Sequence, residues 1–110
     1  MYANEKFTLN AQEAPVQSVP EDVRLHAAIV GELHDTFKRK NHDYGNSFSE
    51  LYAEVGIPYA YGHLKEKLNR VKSLMSDKAQ VEGESMDDSL LDLANYAILT
   101  VMEHRRKQNH

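Results

Sequence analysis

The sequence predicts an all-α protein, a compact four-helix bundle with an irregular N-terminal arm. Apolar residues recur at helical spacing in four segments, and turn-forming residues separate those segments. Glycine and proline are rare, with 5 and 3 copies in 110 residues, which favours helices over a turn-rich β protein. We expect residues 18–110 to form a single helical domain and residues 1–17, which show no helical period, to form the arm.

The composition excludes several classes of protein. The absence of cysteine excludes disulfides, thiolate metal sites and a cysteine nucleophile. The excess of 17 acidic over 13 basic residues gives a net charge of -4, which disfavours binding to nucleic acid. No apolar run approaches the roughly 20 residues that span a bilayer, and the N-terminus lacks a signal-peptide pattern. We therefore expect a soluble, cytoplasmic protein without a membrane or specific nucleic-acid partner.

The first helix is predicted near residues 19–42. Ser18 and Glu21 have the spacing of a capping box, which satisfies free N–H groups at a helix start. The turn-rich string at 41–46 ends the helical pattern. The apolar residues at helical spacing are Val23, Ala27, Val30, Leu33 and Phe37.

A short second helix is predicted near 47–56 and a third near 59–76. Ser47 and Glu50 repeat the capping-box spacing, and Gly56 supplies a helix stop. The second helix has an apolar face of Phe48, Leu51, Tyr52 and Val55. The third has a stripe of Leu64, Leu68, Val71 and Met75, which predicts that this side faces the core.

The fourth helix, near 85–107, has the strongest pattern. Ser85 and Asp88 form a cap-like pair at its start, and basic residues at its end suit the helix dipole. Its wide apolar face contains Leu90, Leu93, Ala94, Ala97, Ile98 and Val101. The other three helices can hardly cover so much apolar surface, so we expect a homo-oligomer, at least a dimer.

An acidic sector of the fourth helix borders its core face. Successive turns of 100° place four polar residues within about 80° of the circumference. They are Glu84, Asp88, Asp92 and Asn95. Carboxylates clustered at a core edge favour a cation, either a divalent metal or a lysine or arginine. The alternative is a solvated face that complements the helix dipole, which explains Asp88 better than it explains Asp92.

The third helix has a basic edge. His63, Lys67 and Arg70 follow one another at i, i+4 and i+7, and Leu74 continues the line. Positive groups converging on one edge favour phosphate, or the carboxylates of the fourth helix, as partners. The alternative is an ordinary basic edge whose side chains reach solvent.

The turn at residues 40–48 is dense in hydrogen-bonding and aromatic groups. Gly45 permits a positive φ, Tyr44 could stack on a base, and the helix start that follows offers free N–H groups to an anion. The alternative is an ordinary helix–helix turn, which prefers similar residues. The candidate ligand-binding residues here are Lys40, Asp43, Tyr44, Asn46 and Phe48.

Three separated blocks resemble a known family. They are residues 40–48 (KNHDYGNSF), 67–70 (KLNR) and the acidic block at 84–97. In this order they resemble the phage nucleotide modification associated domain family, first type, over roughly residues 32–102. The resemblance implies a helical domain that binds or acts on nucleotides.

The layout is also similar to that of the all-α nucleotide pyrophosphatases of the MazG type, whose E-x-x-E and E-x-x-D helix pairs hold magnesium. Glu84 and Asp87 have the E-x-x-D spacing, and the facing E-x-x-E is absent. Glu32 and Asp35 are the nearest substitute, on the outward face of the first helix. This similarity implies Mg²⁺ as a cofactor.

Three functions remain open at this stage. In the first, Mg²⁺ held by Glu84, Asp88 and Asp92 bridges nucleotide phosphates and activates a water, while Lys67 and Arg70 neutralise charge. In the second, the protein is a non-catalytic sponge that sequesters a nucleotide immune signal for a phage, an anti-defence role. In the third, the acidic and basic edges form a structural ion-pair network. The ligand-binding set is Lys40, Asp43, Tyr44, Asn46, Phe48, Lys67, Arg70 and Asn95.

Overall fold

Every regular element in the described part of the chain is a helix. A computed structural model describes residues 19–43, 47–76 and 85–109. The four helices are α1 (Glu21–Asp43), α2 (Ser49–Val55), α3 (Ile57–Leu74) and α4 (Met86–Gln108). The predicted all-α, four-helix architecture is therefore confirmed. The predicted arm at 1–17 lies outside the described residues.

The chain divides into two compact units, Met1–Glu32 and Leu33–His110, and helix α1 has residues in both. In the first unit, the predicted apolar residues Val23 and Val30 are exposed. In the second, Leu33 is buried and the helix contributes to the core. The predicted apolar stripe of the first helix is thus buried only toward its C-terminal end.

The second unit is built on the contact between α3 and α4, with α2 packed against α3. Its core cluster consists of Phe48, Tyr52, Ala60 and Leu99. Partly buried side chains surround that cluster: Phe37, Tyr59, Tyr96 and Met102. The core is therefore rich in aromatic rings, which bury a large apolar area for each residue.

Gly56 separates α2 from α3, as predicted. Its φ of 87° lies in the left-handed region, where a side chain would be strained, and its N–H donates to the carbonyl of Tyr52 at 2.8 Å. Helix α3 then begins at Ile57, two residues earlier than predicted, because Pro58 fits the first turn, where its missing N–H leaves no bond unmade.

The predicted capping box of Ser47 and Glu50 stays a prediction. The residue before α2 is Phe48, whose backbone is already helical (φ -67°, ψ -47°) and which makes no side-chain cap. Residues 44–46, where the chain would enter the capping box, lie outside the described part of the chain. At α4 the cap is confirmed: the Asp88 N–H donates to the Ser85 Oγ at 2.9 Å.

The predicted core face of α3 is buried only in part, since Leu64 and Val71 are half-buried. Leu68 and Met75 in the aliphatic stripe are 52% and 73% exposed. The buried residues of this helix are Ala60 and Leu74, which lie in line with Lys67 on the basic edge. Contacts with α4 follow this edge, where the His63 ring stacks on Tyr96 and Lys67 pairs with Asp92.

In helix α4, too, the residues of the apolar face are more exposed than those of the neighbouring polar sector. Its wide apolar face is largely exposed, whereas Asn95 and Leu99 in the predicted acidic sector are buried. The prediction that this sector borders the core is confirmed, and much of the wide apolar face stays exposed, as expected for a face that the other helices can hardly cover. Helical periodicity locates an apolar stripe but does not say what will cover it.

Candidate functional site

A cavity of about 290 Å³ opens beside the aromatic core of the second unit. We call it the aromatic pocket, and its lining residues are Lys40, Ser47, Phe48, Tyr59, His63, Lys67, Asp92 and Tyr96. They come from the end of α1, the two residues before α2, and the facing sides of α3 and α4. The volume is at the lower end of the range of about 300–1,000 Å³ for small-molecule sites.

His63 lies at the centre of a stack of rings. Its imidazole is nearly parallel to the Tyr96 ring, with centroids 4.7 Å apart and an angle of 8°. The Tyr59 ring meets it edge-on at 4.8 Å, and the Phe48 ring is tilted against it at 5.7 Å. Tyr59 and His63 meet because they are four residues apart on α3. The pocket wall is therefore an ordered aromatic surface.

Burial sets the protonation states of this wall. Burial lowers the pKa of His63 below its usual 6.5, and two smaller effects are those of Glu66, which raises this pKa, and Lys67, which lowers it. Burial also raises the pKa of the Tyr59 and Tyr96 phenols above 10.0. At neutral pH the pocket thus has an uncharged imidazole and two protonated phenols, all of which can make neutral hydrogen bonds with a ligand.

Lys67 and Asp92 form an ion pair between α3 and α4. The Lys67 Nζ lies 3.4 Å from the Asp92 Oδ2 and 5.5 Å from the centroid of the Tyr96 ring, over which it makes a cation–π contact. The Lys67 side chain is only 22% exposed, so its charge is held where solvent screens it incompletely. The predicted convergence of the basic edge with the acidic sector is confirmed at this pair.

A second cavity, of about 390 Å³, shares this ion pair. We call it the charged pocket, and its lining residues are Glu66, Lys67, Arg70, Ser89 and Asp92. Because Lys67 and Asp92 line both cavities, the ion pair forms a common wall between an aromatic compartment and a charged one.

The predicted ligand-binding residues are distributed unevenly around these cavities. Lys40, Phe48 and Lys67 line the aromatic pocket, although Phe48 is almost fully buried and serves as a wall. Arg70 lines the charged pocket. Asn95 is buried in α4 and is not among the lining residues of either pocket. Tyr44, Asn46 and the Asp43 side chain lie outside the described residues.

The predicted metal ligands are only partly described. Asp92 is paired with Lys67, Asp88 is exposed in the first turn of α4, and Glu84 lies outside the described residues. Within residues 19–43, 47–76 and 85–109, no three histidine or carboxylate side chains stand close enough together to hold a metal ion. Of the MazG-type pair, Glu32 and Asp35 are both exposed, and Asp35 pairs with Lys38 at 3.6 Å.

The sequence prediction missed four residues that line the aromatic pocket: Ser47 and the three ring-bearing residues Tyr59, His63 and Tyr96. The sequence places His63 on the basic edge but does not assign it to the site. A usable signal existed, because Tyr59 precedes His63 by four residues and Tyr96 follows Asp92 by four. Aromatic residues one turn from charged ones on the facing edges indicate a site at the place where those edges meet.

None of the helices formed by the described residues combines the length and hydropathy of a membrane span. The helices and the two adjoining pockets define an all-α protein with a small polar–aromatic site. The model of the family described as nucleotide modification associated domain 1 matches residues 40–103, more than half of the chain. The chain belongs to this family, and both pockets lie within the matched segment. A search of curated proteins and a search of solved structures found no significant match.

Proposed function

We propose that this protein binds a nucleotide, with the base in the aromatic pocket and the phosphates in the charged pocket. One observation carries the proposal: Lys67 lies between the two compartments and lines both of them. A nucleotide has the same division, since its flat apolar base and its anionic phosphates are joined by a short sugar. The name of the family, which associates it with nucleotide modification, supports the same class of ligand.

The aromatic pocket suits a base for two reasons. Its wall of stacked rings offers aromatic surface, and base–aromatic stacking contributes about 1–3 kcal/mol for each base. Neutral His63 and the protonated hydroxyls of Tyr59 and Tyr96 add hydrogen-bonding groups that read the polar edge of a base. The size of the cavity fits one base or nucleoside and not a polymer.

The phosphates would be held by cationic side chains. Lys67 would exchange its contact with Asp92 for a phosphate oxygen, because a phosphate offers a larger negative charge than a single carboxylate. Arg70 lines the charged pocket three residues further along α3, where its planar guanidinium suits bidentate binding of phosphate. Lys40 lines the aromatic pocket and would neutralise charge from the side of α1.

Magnesium-dependent hydrolysis in the manner of MazG-type pyrophosphatases is the second candidate. The observation that favours it is that two carboxylates, Glu66 and Asp92, line the pocket proposed for phosphate. A Mg²⁺ ion there would be held by Asp92 with the predicted ligands Asp88 and Glu84. It would supply Lewis acidity at a phosphate oxygen.

Sequestration without chemistry is the other use of the same site. A phage protein of this kind would act in the host cytoplasm, where it would remove a nucleotide immune signal. Tight binding and unchanged release distinguish this role from hydrolysis.

One experiment tests the site and separates its two uses. The protein is incubated with a panel of nucleotides, with and without Mg²⁺, and each mixture is analysed by mass spectrometry before and after heat denaturation. A ligand recovered unchanged only after denaturation supports sequestration, and a new product that requires Mg²⁺ supports hydrolysis.

Asp92→Asn should abolish that turnover while leaving part of the binding, because an amide is a poorer metal ligand of similar shape. Failure of every nucleotide to bind would refute the proposal.

A further inference from the structure

Helix α4 has an exposed apolar face that is separate from the site. Its members are Leu90, Ala94, Ala97, Ile98 and Val101, and we call it the α4 apolar face. With 100° per residue, the five side chains fall within about 100° of the circumference. Leu90, Ile98 and Val101 are 46%, 45% and 47% exposed. A contiguous row of half-exposed aliphatic side chains indicates an interaction surface.

The opposite face of α4 holds the pockets. Asp92 and Tyr96 line the aromatic pocket, and the buried residue Leu99 belongs to the core beside it. These residues lie about 160° around the helix from the centre of the α4 apolar face. A partner on the apolar face would therefore leave the proposed nucleotide site accessible.

The ends of the face carry opposite charges. Asp87, in the first turn, and Arg105, in the last turn, are both exposed and lie 18 residues apart, which is five helical turns, so they share one line along α4. This line runs within the apolar face, between Ala94 and Ile98. An antiparallel copy of α4 would bring each Asp87 opposite the partner's Arg105, whereas a parallel copy would bring like charges together.

We propose that a second copy of this chain covers the α4 apolar face, with the two α4 helices antiparallel across a twofold axis. The midpoint between positions 87 and 105 is position 96, so the axis passes between Ala94 and Ile98, with Ala97 on the same face. The small side chains of Ala94 and Ala97 allow the two helices to approach closely on one side of the axis, and the larger aliphatic residues pack around them. A twofold axis repeats each contact, so both ion pairs form in every dimer. The inference is independent of the nucleotide site.

Charge reversal tests this pairing. Light scattering should give the wild type a mass of twice the 12.6 kDa chain. Asp87→Arg and Arg105→Asp each place like charges opposite one another, and each should raise the dimer dissociation constant by roughly tenfold or more. The double variant D87R/R105D restores opposite charges and should restore the dimer. An equimolar mixture of the two single variants should form a heterodimer for the same reason.

The double variant separates the effect of charge on dimer formation from its effect on helix stability. Each single change also opposes the dipole of α4, so the double variant should weaken the helix most while recovering the dimer. Lys107→Asp removes a basic residue of the last turn that lies away from the apolar face, and it should leave the dimer unchanged. Ile98→Asp should give a monomer, and its nucleotide binding, if the site proposal holds, should match that of the wild type.

A monomeric wild type would overturn the inference. A dimer that survives Ile98→Asp would also overturn it, since the contact would then lie elsewhere. If the single reversals left the dimer intact, or if the double variant stayed monomeric, the antiparallel arrangement would be refuted.

Discussion

The charged residues at the facing edges of α3 and α4 are held by specific neighbours. Lys67 contacts both the Asp92 carboxylate and the Tyr96 ring, so its charge has partners on two sides. With Lys67 22% and Asp92 42% exposed, solvent still reaches the pair, and a partly exposed pair of this kind contributes little to stability, about 0–1 kcal/mol. Its position between the two cavities fits the ligand-binding role proposed above.

Replacement of Arg70 tests the phosphate compartment. Arg70→Ala should weaken nucleotide binding by about 1.5–3 kcal/mol, the range for a charge-assisted hydrogen bond, and the loss should shrink for a ligand with fewer phosphates. Calorimetric titration measures it. Lys65→Ala is the matched control, because Lys65 is exposed on α3 and lines neither pocket. Binding by Arg70→Ala as tight as that of the wild type would remove Arg70 from the site.

His63 should make stability depend on pH. Because its pKa is lowered in the folded protein, the unfolded chain binds the proton more readily between that value and 6.5. The free energy of unfolding should therefore increase as the pH rises through this window. The contribution of His63 should be lost as the pH falls below 6.5. Urea unfolding of the wild type and of His63→Phe, from about pH 5 to about pH 7.5, isolates this contribution. Parallel pH profiles for the two proteins would contradict the expected role of burial.

At the scale of the element, α2 depends on α4 for its position. A helix of seven residues is not stable alone, and α2 begins without a side-chain cap. The Ser49 Oγ donates to the Glu103 Oε2 at 2.5 Å, and the Arg106 Nη1 donates to the same oxygen at 2.5 Å. This cluster fixes the first residue of α2 and, with it, the adjacent Phe48 in the wall of the aromatic pocket.

Removal of the Glu103 carboxylate should loosen this attachment. Glu103 is 9% exposed, so Glu103→Ala should cost about 1–3 kcal/mol of unfolding free energy, the range for a buried hydrogen-bonding group. Glu103→Gln should cost less, because its amide oxygen still accepts from Ser49. Urea denaturation measures both variants. Glu54→Ala, on an exposed position of α2, is the control. Equal stability of Glu103→Ala and Glu54→Ala would show that the cluster does not anchor α2.

At the scale of the whole molecule, folding and assembly should be linked. Side chains on the α4 apolar face remain about half exposed in one chain, so a second copy would bury apolar area that a single chain leaves in water. A protein that gains stability from association is more stable at higher concentration, because mass action favours the dimer.

The melting temperature of the wild type should therefore rise as the protein concentration is raised. Differential scanning calorimetry over about a hundredfold range of concentration measures this effect. Ile98→Asp should melt at a temperature independent of concentration, since its α4 apolar face no longer favours a partner. If the melting temperature of the wild type did not change with protein concentration, the folded chain would be stable as a monomer.

The local features of this protein were determined by its sequence. The four helices, the stop at Gly56 and the cap of Ser85 on α4 were predicted because each depends on a few neighbouring residues and on backbone chemistry. The meeting of the basic edge with the acidic sector, realised by Lys67 and Asp92, also followed from helical spacing and charge.

Tertiary structure alone decided which faces are inside. The aliphatic stripes of α3 and α4 have the stronger pattern, yet the rings of Phe48, His63 and Tyr96 pack together on the polar edges and form the core side of the site. Burial is a collective property, since the area that one face loses to water depends on which other faces can meet it. A periodic pattern within one helix contains no information about that partner, so the aromatic pocket became visible only once α3 and α4 were placed together.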